Sequence, residues 1–279
     1  MLAAAFAAMP VAASAAPALW EVSDADSKVW LFGSIHVLPK DVTWRTPEFD
    51  DVLAHADAVY FEADIGPLGQ LALVISSIRM GFGAKADWLA TLSAEQKARL
   101  EAAAAPLGLG ITQLAGYQPW LAEAMIEEKL IEKLGYSPAL GVDTILQGEL
   151  PKEKKAYFET VGAQMALLGA DPVDQQVRRL LTTVDTIADV PKQMADMTAA
   201  WVAGNTDALG KQIADDPTMD EGFTQALVLD RNANWLKTIE GLLADNRQDL
   251  IVVGAGHLAG DGSVVELLGK AGFTVQRIQ

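Results

Sequence analysis

Two histidines reach their places in this chain by the same device. Residues 29–32 (Val-Trp-Leu-Phe) are a bulky apolar run that ends at Gly33 and is followed three residues later by His36. Residues 250–253 (Leu-Ile-Val-Val) end at Gly254, and His257 follows at the same spacing. Short continuous apolar runs bounded by turn residues read as buried strands, and a glycine at the end of each leaves the backbone free to turn. In open α/β sheets, ligands gather outside the carboxyl ends of the strands. Two of the chain's three histidines leaving strand ends in the same way therefore predict one shared site. Gly-x-x-His on its own is a common strand-to-loop turn, and a lone histidine there usually caps or hydrogen-bonds. The repetition separates this pair from that use.

Two further apolar-aromatic runs, residues 58–62 and 155–159, each end in a carboxylate, Glu62 and Glu159. Neutral imidazoles with carboxylates suit Mn²⁺, Co²⁺, Zn²⁺ or Fe²⁺ and suit Mg²⁺ or Ca²⁺ poorly. Such a cation brings the pKa of bound water to about 7 and polarises a carbonyl. One carboxylate can ligate while another serves as general base. Asp64 is a competing ligand on the loop after Glu62, and Arg231 is a candidate partner for developing negative charge. His55 lies near a helix C-terminus, where the helix dipole accounts for it.

Composition removes several alternatives. The chain has no cysteine, which excludes disulfides, thiolate metal sites and cysteine nucleophiles. A net charge of −16 with no basic run argues against a nucleic-acid partner, and none is expected. There is no Gly-x-Ser-x-Gly elbow, Walker loop or dinucleotide fingerprint. Residues 1–18 carry no charge and are rich in alanine, and Ala13-Ser14-Ala15 offers a cleavage site. Residues 1–16 are therefore expected to be a signal peptide lacking its basic n-region, which places the mature protein in the periplasm or outside the cell. No other stretch has the roughly 20 apolar residues of a membrane span, so stable membrane insertion is not expected. No motif specifies an oligomeric state.

The elements that must position these residues follow from periodicity and punctuation. Residues 19–22 and 28–32 flank a polar turn and read as a hairpin. A helix is expected over 47–56, then strands at 58–62 and 155–159 with a mostly helical stretch, 67–150, between them. Residues 68–80 are nearly all apolar and are expected to be buried. Ser93-x-x-Gln96 and Ser263-x-x-Glu266 are helix-starting capping boxes. The helix over 120–134 is expected to bury Leu121, Met125, Leu130 and Leu134 and to turn Glu123, Glu127 and Glu128 outward. Residues 171–246 are again helical, and strands at 250–253 and 273–278 close the chain. Strands at both ends around a helical middle imply one α/β domain over 17–279, a central mixed sheet with a large helical insertion over 67–150 and 171–246.

Taken in order, Gly33-Ser-Ile-His36 with Pro39 and Trp44, Phe61-Glu62-Ala-Asp64, Gly141-Val-Asp143, Glu159-Thr160 with Gln164, Arg231-Asn232 with Trp235, and Gly254-Ala-Gly-His257 resemble the TraB/PrgY/GumN family, related to the TIKI metalloproteases. The resemblance implies a fold akin to the erythromycin-esterase and ChaN group. It also implies a divalent-metal site built on both Gly-x-x-His histidines and Glu62. The resulting expectation is an exported metal-dependent hydrolase acting on a peptide or protein substrate, with Mn²⁺, Co²⁺ or Zn²⁺ as cofactor. His36, Glu62 and His257 are the expected metal ligands. Glu62, Glu159 and Arg231 are the expected catalytic groups, Glu159 as general base or extra ligand and Arg231 as charge stabiliser. The alternative is a non-catalytic periplasmic protein that sequesters a peptide, a metal or haem.

Overall fold

A computed structural model describes residues 16–83 and 87–279. The expected signal peptide over 1–16 lies almost wholly outside the described residues. The described residues form eight strands: β1 (Leu19–Ser23), β2 (Lys28–Ser34), β3 (Leu38–Pro39), β4 (Val59–Phe61), β5 (Tyr136–Ser137), β6 (Lys155–Tyr157), β7 (Leu250–Gly254) and β8 (Thr274–Arg277). Six of them form a mixed sheet in the order β6-β4-β7-β2-β1-β8, while β3 pairs with β5. The expected hairpin is β1 and β2, antiparallel with Leu19 opposite Phe32. β2, β7, β4 and β6 run parallel, so their carboxyl ends share one edge.

The sheet is buried on both faces, which is why its central strands are continuous apolar runs. Alternation along β2 sends Trp30 and Phe32 to one face and Val29 and Leu31 to the other. On the first face they meet Phe49 and Val52 of helix Pro47–His55, together with Trp44 and Trp201. On the second, Ile251 and Val253 join Trp235, Ile239 and Leu242 of helix Asp230–Ala244. Each such side chain contributes about 1.5–3 kcal/mol by leaving water. A separate core of Trp88, Leu100, Leu114, Ile126 and Leu180 holds the helical lobe.

Both capping boxes start helices: Ser93 and Gln96 exchange backbone bonds at Ala94–Ala104, and Ser263 accepts from Glu266 N–H at Val264–Lys270. Three expectations are corrected. Helix Pro67–Gly81 is not buried: it turns Gly69 and Gly81 inward and leaves Leu68, Leu71, Val74, Ile75 and Ile78 exposed. A mostly apolar segment carries too few polar residues to say which face packs, and its small residues settle the matter by allowing close approach. In helix Pro119–Lys133 the buried residues are Pro119, Trp120, Ala122, Glu123 and Ile126, so Glu123 faces inward. It is kept there by the Thr183 hydroxyl, which donates at 2.7 Å, and by Arg179 at 3.7 Å. Finally, Gly33 and Gly254 are absent from the positive-φ residues. Gly33 is needed because Ala255 crosses over it, 3.0 Å from where a Cβ would sit.

Candidate functional site

The parallel strands deliver their polar residues side by side. In sheet order β6, β4, β7, β2, the residues just past the carboxyl ends are Glu159, Glu62, His257 and His36. The ladder continues beyond β4 and β6, since Glu159 N–H donates to the Glu62 carbonyl at 2.9 Å.

Glu62 is buried at the centre. Its Oε1 accepts from Gly254 N–H at 2.7 Å, and its Oε2 accepts from Arg231 Nη2 at 2.6 Å and from Gln164 Nε2 at 3.1 Å. Burial alone would raise its pKa. The His257 and His36 imidazoles, Arg231 and the Gly254 N–H outweigh burial and hold the carboxyl down to about 2. Glu62 is therefore an anion at neutral pH.

His257 Nδ1 lies 2.7 Å from Asn232 Oδ1, and Asn232 Nδ2 donates to the Gly262 carbonyl at 2.9 Å. An amide oxygen only accepts, so Nδ1 carries the proton and Nε2 keeps its lone pair. Arg231 Nη1 donates to that Nε2 at 3.1 Å, and Nε2 stands 3.8 Å from Glu62 Oε1. Burial pushes the His257 pKa down to about 4, which keeps the ring neutral.

His36 is held in the same way by a carboxylate. Its Nδ1 lies 2.9 Å from Asp143 Oδ2, and the other Asp143 oxygen accepts from Ser34 Oγ at 3.0 Å. The Asp143 charge raises the His36 pKa, although the side chain is 62% exposed and solvent screens the attraction. The approach depends on Gly141: a Cβ there would stand 2.1 Å from the His36 carbonyl oxygen. Val142 N–H donates to the Ile35 carbonyl at 3.0 Å, docking the start of helix Val142–Glu149 so that Asp143 reaches the ring.

Arg231 ties the group together. Its Nε donates to both Glu159 oxygens at 3.0 and 3.1 Å, and Nη1 also donates to the Leu227 carbonyl at 2.9 Å. That carbonyl belongs to a π-helical turn, Gln225–Leu229, immediately before the arginine's helix, a distortion frequent at functional sites. Glu159 also accepts from Trp235 Nε1 at 2.9 Å. Beside the site is a cavity of about 240 Å³, with His36, Glu62, Asp143, Gln164, Leu73 and Met165 in its wall.

All five expected site residues therefore meet. Asp64 does not join them: it accepts from Gly66 N–H at 2.8 Å and shapes its own loop. Asp143, Asn232, Gln164 and Trp235 were given no role by the residue pattern. Asp143 is 107 positions from the histidine it orients, and Asn232 is next to Arg231, which was the available signal. The donor types fit a transition metal: two imidazole Nε2 atoms with Nδ1 anchored, and one carboxylate. Among the described residues, however, no group of three His, Cys, Asp or Glu converges closely enough to hold an ion. The Arg231 guanidinium takes the contacts of Glu62 and His257 instead.

The profile of the TraB/PrgY/gumN family matches residues 18–277. An uncharacterized protein of Treponema pallidum (strain Nichols) is 19% identical over 264 residues, covering 90% of this chain and 80% of that one. A metalloprotease TIKI homolog of Amphimedon queenslandica is 34% identical over 70 residues, 24% of this chain and 14% of that relative. No solved structure matches. No helix among the described residues is long and apolar enough to cross a membrane.

Proposed function

The chain belongs to the TraB/PrgY/gumN family, and from that premise we propose that it is an exported, divalent-metal-dependent hydrolase acting on a peptide bond. The observation that carries this reading is the shared orientation of the histidines. Asp143 and Asn232 each hold an Nδ1, so Nε2 is the nitrogen that each ring presents for ligation beside the ionised Glu62, with Arg231 Nη1 at that of His257. A carboxylate or amide behind a histidine is the usual outer support of a metal ligand. The likeness to a metalloprotease TIKI homolog supports peptide hydrolysis as the reaction.

In this reading His36, Glu62 and His257 would hold a Mn²⁺, Co²⁺ or Zn²⁺ ion, which requires that Arg231 Nη1 no longer donate to His257 Nε2. When bound, such an ion polarises a carbonyl and makes water acidic enough to deprotonate near neutral pH. Glu159, positioned by Arg231 and Trp235, is the base that receives a proton. Arg231, partly buried, is the charge that answers an oxyanion. The cavity beside His36 and Glu62, with Leu73 and Met165 in its wall, receives the substrate's apolar side chains.

One observation favours a second reading. Arg231 already neutralises Glu62 and occupies His257 Nε2, which suits a non-catalytic protein that sequesters a peptide, a metal or haem. A peptide-library cleavage assay with each metal separates the two. Cleavage that requires one of the metals and stops with chelator is expected. Peptide binding without cleavage under every metal would favour sequestration.

A further inference from the structure

Helix Pro67–Gly81 is built inside out. A surface helix normally buries its large apolar stripe and exposes its polar face. Here Gly69 and Gly81 are buried and Ala72, Ser76 and Ser77 are half-buried. Leu68 is 71% exposed, and Leu71, Ile75 and Ile78 are each 55% exposed. The inward face is small because the helix lies against backbone: a Cβ on Gly69 would coincide with the Asp64 carbonyl. Every exposed large hydrophobic side chain among the described residues belongs to this helix or to Phe82 just after it. A contiguous patch of this kind marks an interaction surface rather than ordinary surface scatter.

The pattern of the patch indicates its occupant. Leu68, Leu71, Ile75 and Ile78 follow a 3-4-3 spacing, the a/d seam of a helix that pairs with another helix by knobs into holes. The helix contains no acidic residue, and Arg79 is its only charge, on a chain whose net charge is −16. Two copies of so acidic a protein repel over most of their surfaces and approach most easily through this neutral face. Six of these side chains, all but the cavity-lining Leu73, expose on the order of 100 Å² each and supply most of the roughly 800 Å² per partner of a standard interface. An acidic chain with a single arginine on its apolar helix is poorly suited to an anionic lipid surface.

We propose that helix Pro67–Gly81 is the twofold interface of a homodimer, in which the seams of two copies pack antiparallel with Ile75 near the axis. A two-fold contact uses the same patch on both copies. Because Gln70 and Leu73 of this helix also line the cavity beside His36 and Glu62, the partner copy overlies the cavity's outer wall.

Sedimentation equilibrium of the full chain tests the proposal. The wild type should have twice the chain mass at micromolar concentration. Leu71→Glu with Ile75→Glu should have the single mass and an unchanged circular dichroism spectrum, since both side chains are exposed. The chain lacks cysteine, so Ile75→Cys should give a disulfide-linked dimer on mild oxidation, whereas Lys237→Cys, on the exposed side of helix Asp230–Ala244, should not. A wild type of single mass, a double variant that stays dimeric, or equal cross-linking at both cysteines would overturn the proposal. If the single-mass wild type also floats with phosphatidylglycerol vesicles, the face belongs to lipid instead.

Discussion

Asn232 Oδ1 accepts the Nδ1 proton of His257 at 2.7 Å, and this one contact fixes which nitrogen the ring presents to Glu62 and Arg231. An amide in that place decides the tautomer, and burial, which pushes the ring's pKa down to about 4, decides the charge. At His36 the Asp143 carboxylate likewise holds Nδ1, but its charge raises the ring's pKa instead of lowering it. The site is thus two imidazoles aimed through Nδ1 by Asn232 and Asp143, of which Asp143 also lines the cavity.

Asn232→Ala should release that tautomer. Loss of the outer partner of a metal-binding histidine typically costs 10–100-fold in metal affinity. Titration calorimetry with Mn²⁺ or Zn²⁺ should show a fall of that size, with folding retained. Affinity equal to wild type would mean that Asn232 does not set the ring.

Arg231→Met removes the one cation between Glu62 and Glu159, both largely buried. Breaking a buried ion pair from one side destabilises by about 3–5 kcal/mol, so chelator-treated variant protein should melt well below wild type. A bound metal should recover more stability in the variant than in the wild type, because it replaces the lost positive charge beside Glu62.

Stability should carry a pH signature from the helical lobe. Burial pushes the Glu123 carboxyl up to about 7, a rise that the Thr183 hydroxyl opposes and the Glu127 charge reinforces. A carboxyl whose folded pKa lies above its unfolded value of 4.5 contributes stability below that value and loses it as pH rises through about 7. Relative to Glu123→Gln, which does not ionise, the wild type should therefore lose melting temperature between pH 5 and 8. A difference that stays flat with pH would show that Glu123 remains ionised throughout.

Export makes a separate prediction. Intact-mass measurement of protein recovered from its native cell should find a start at Ala16, after the Ala13-Ser14-Ala15 site. A chain that retains residues 1–15 would overturn the periplasmic or secreted assignment.

The strand ends were legible in the sequence because each is an apolar run whose last pleat is followed by a polar residue, and four parallel strands can only send those residues to one edge. What was not legible had no local pattern to announce it. Helix Pro67–Gly81 is mostly apolar with a single charge, so its sequence could not reveal that Gly69 and Gly81, not Leu71 and Ile75, face inward. Glu123 reads as the polar side of an amphipathic helix until Thr183 and Arg179 are seen across from it. Gly33 looked like a turn and is instead a point where Ala255 crosses the strand. Asp143 and Asn232 act through contacts made only when distant elements pack, so their types and spacing alone gave no role.

The most direct test of the shared site is metal content after reconstitution with Mn²⁺, Co²⁺ or Zn²⁺, measured by elemental analysis on wild type, His36→Ala, His257→Ala and the double variant, with circular dichroism to confirm folding. Residues that act as one unit are strongly non-additive. The wild type should hold about one ion per chain, and each single variant should lose it to nearly the same extent as the double. Full metal content in both folded single variants would contradict a site shared by His36 and His257.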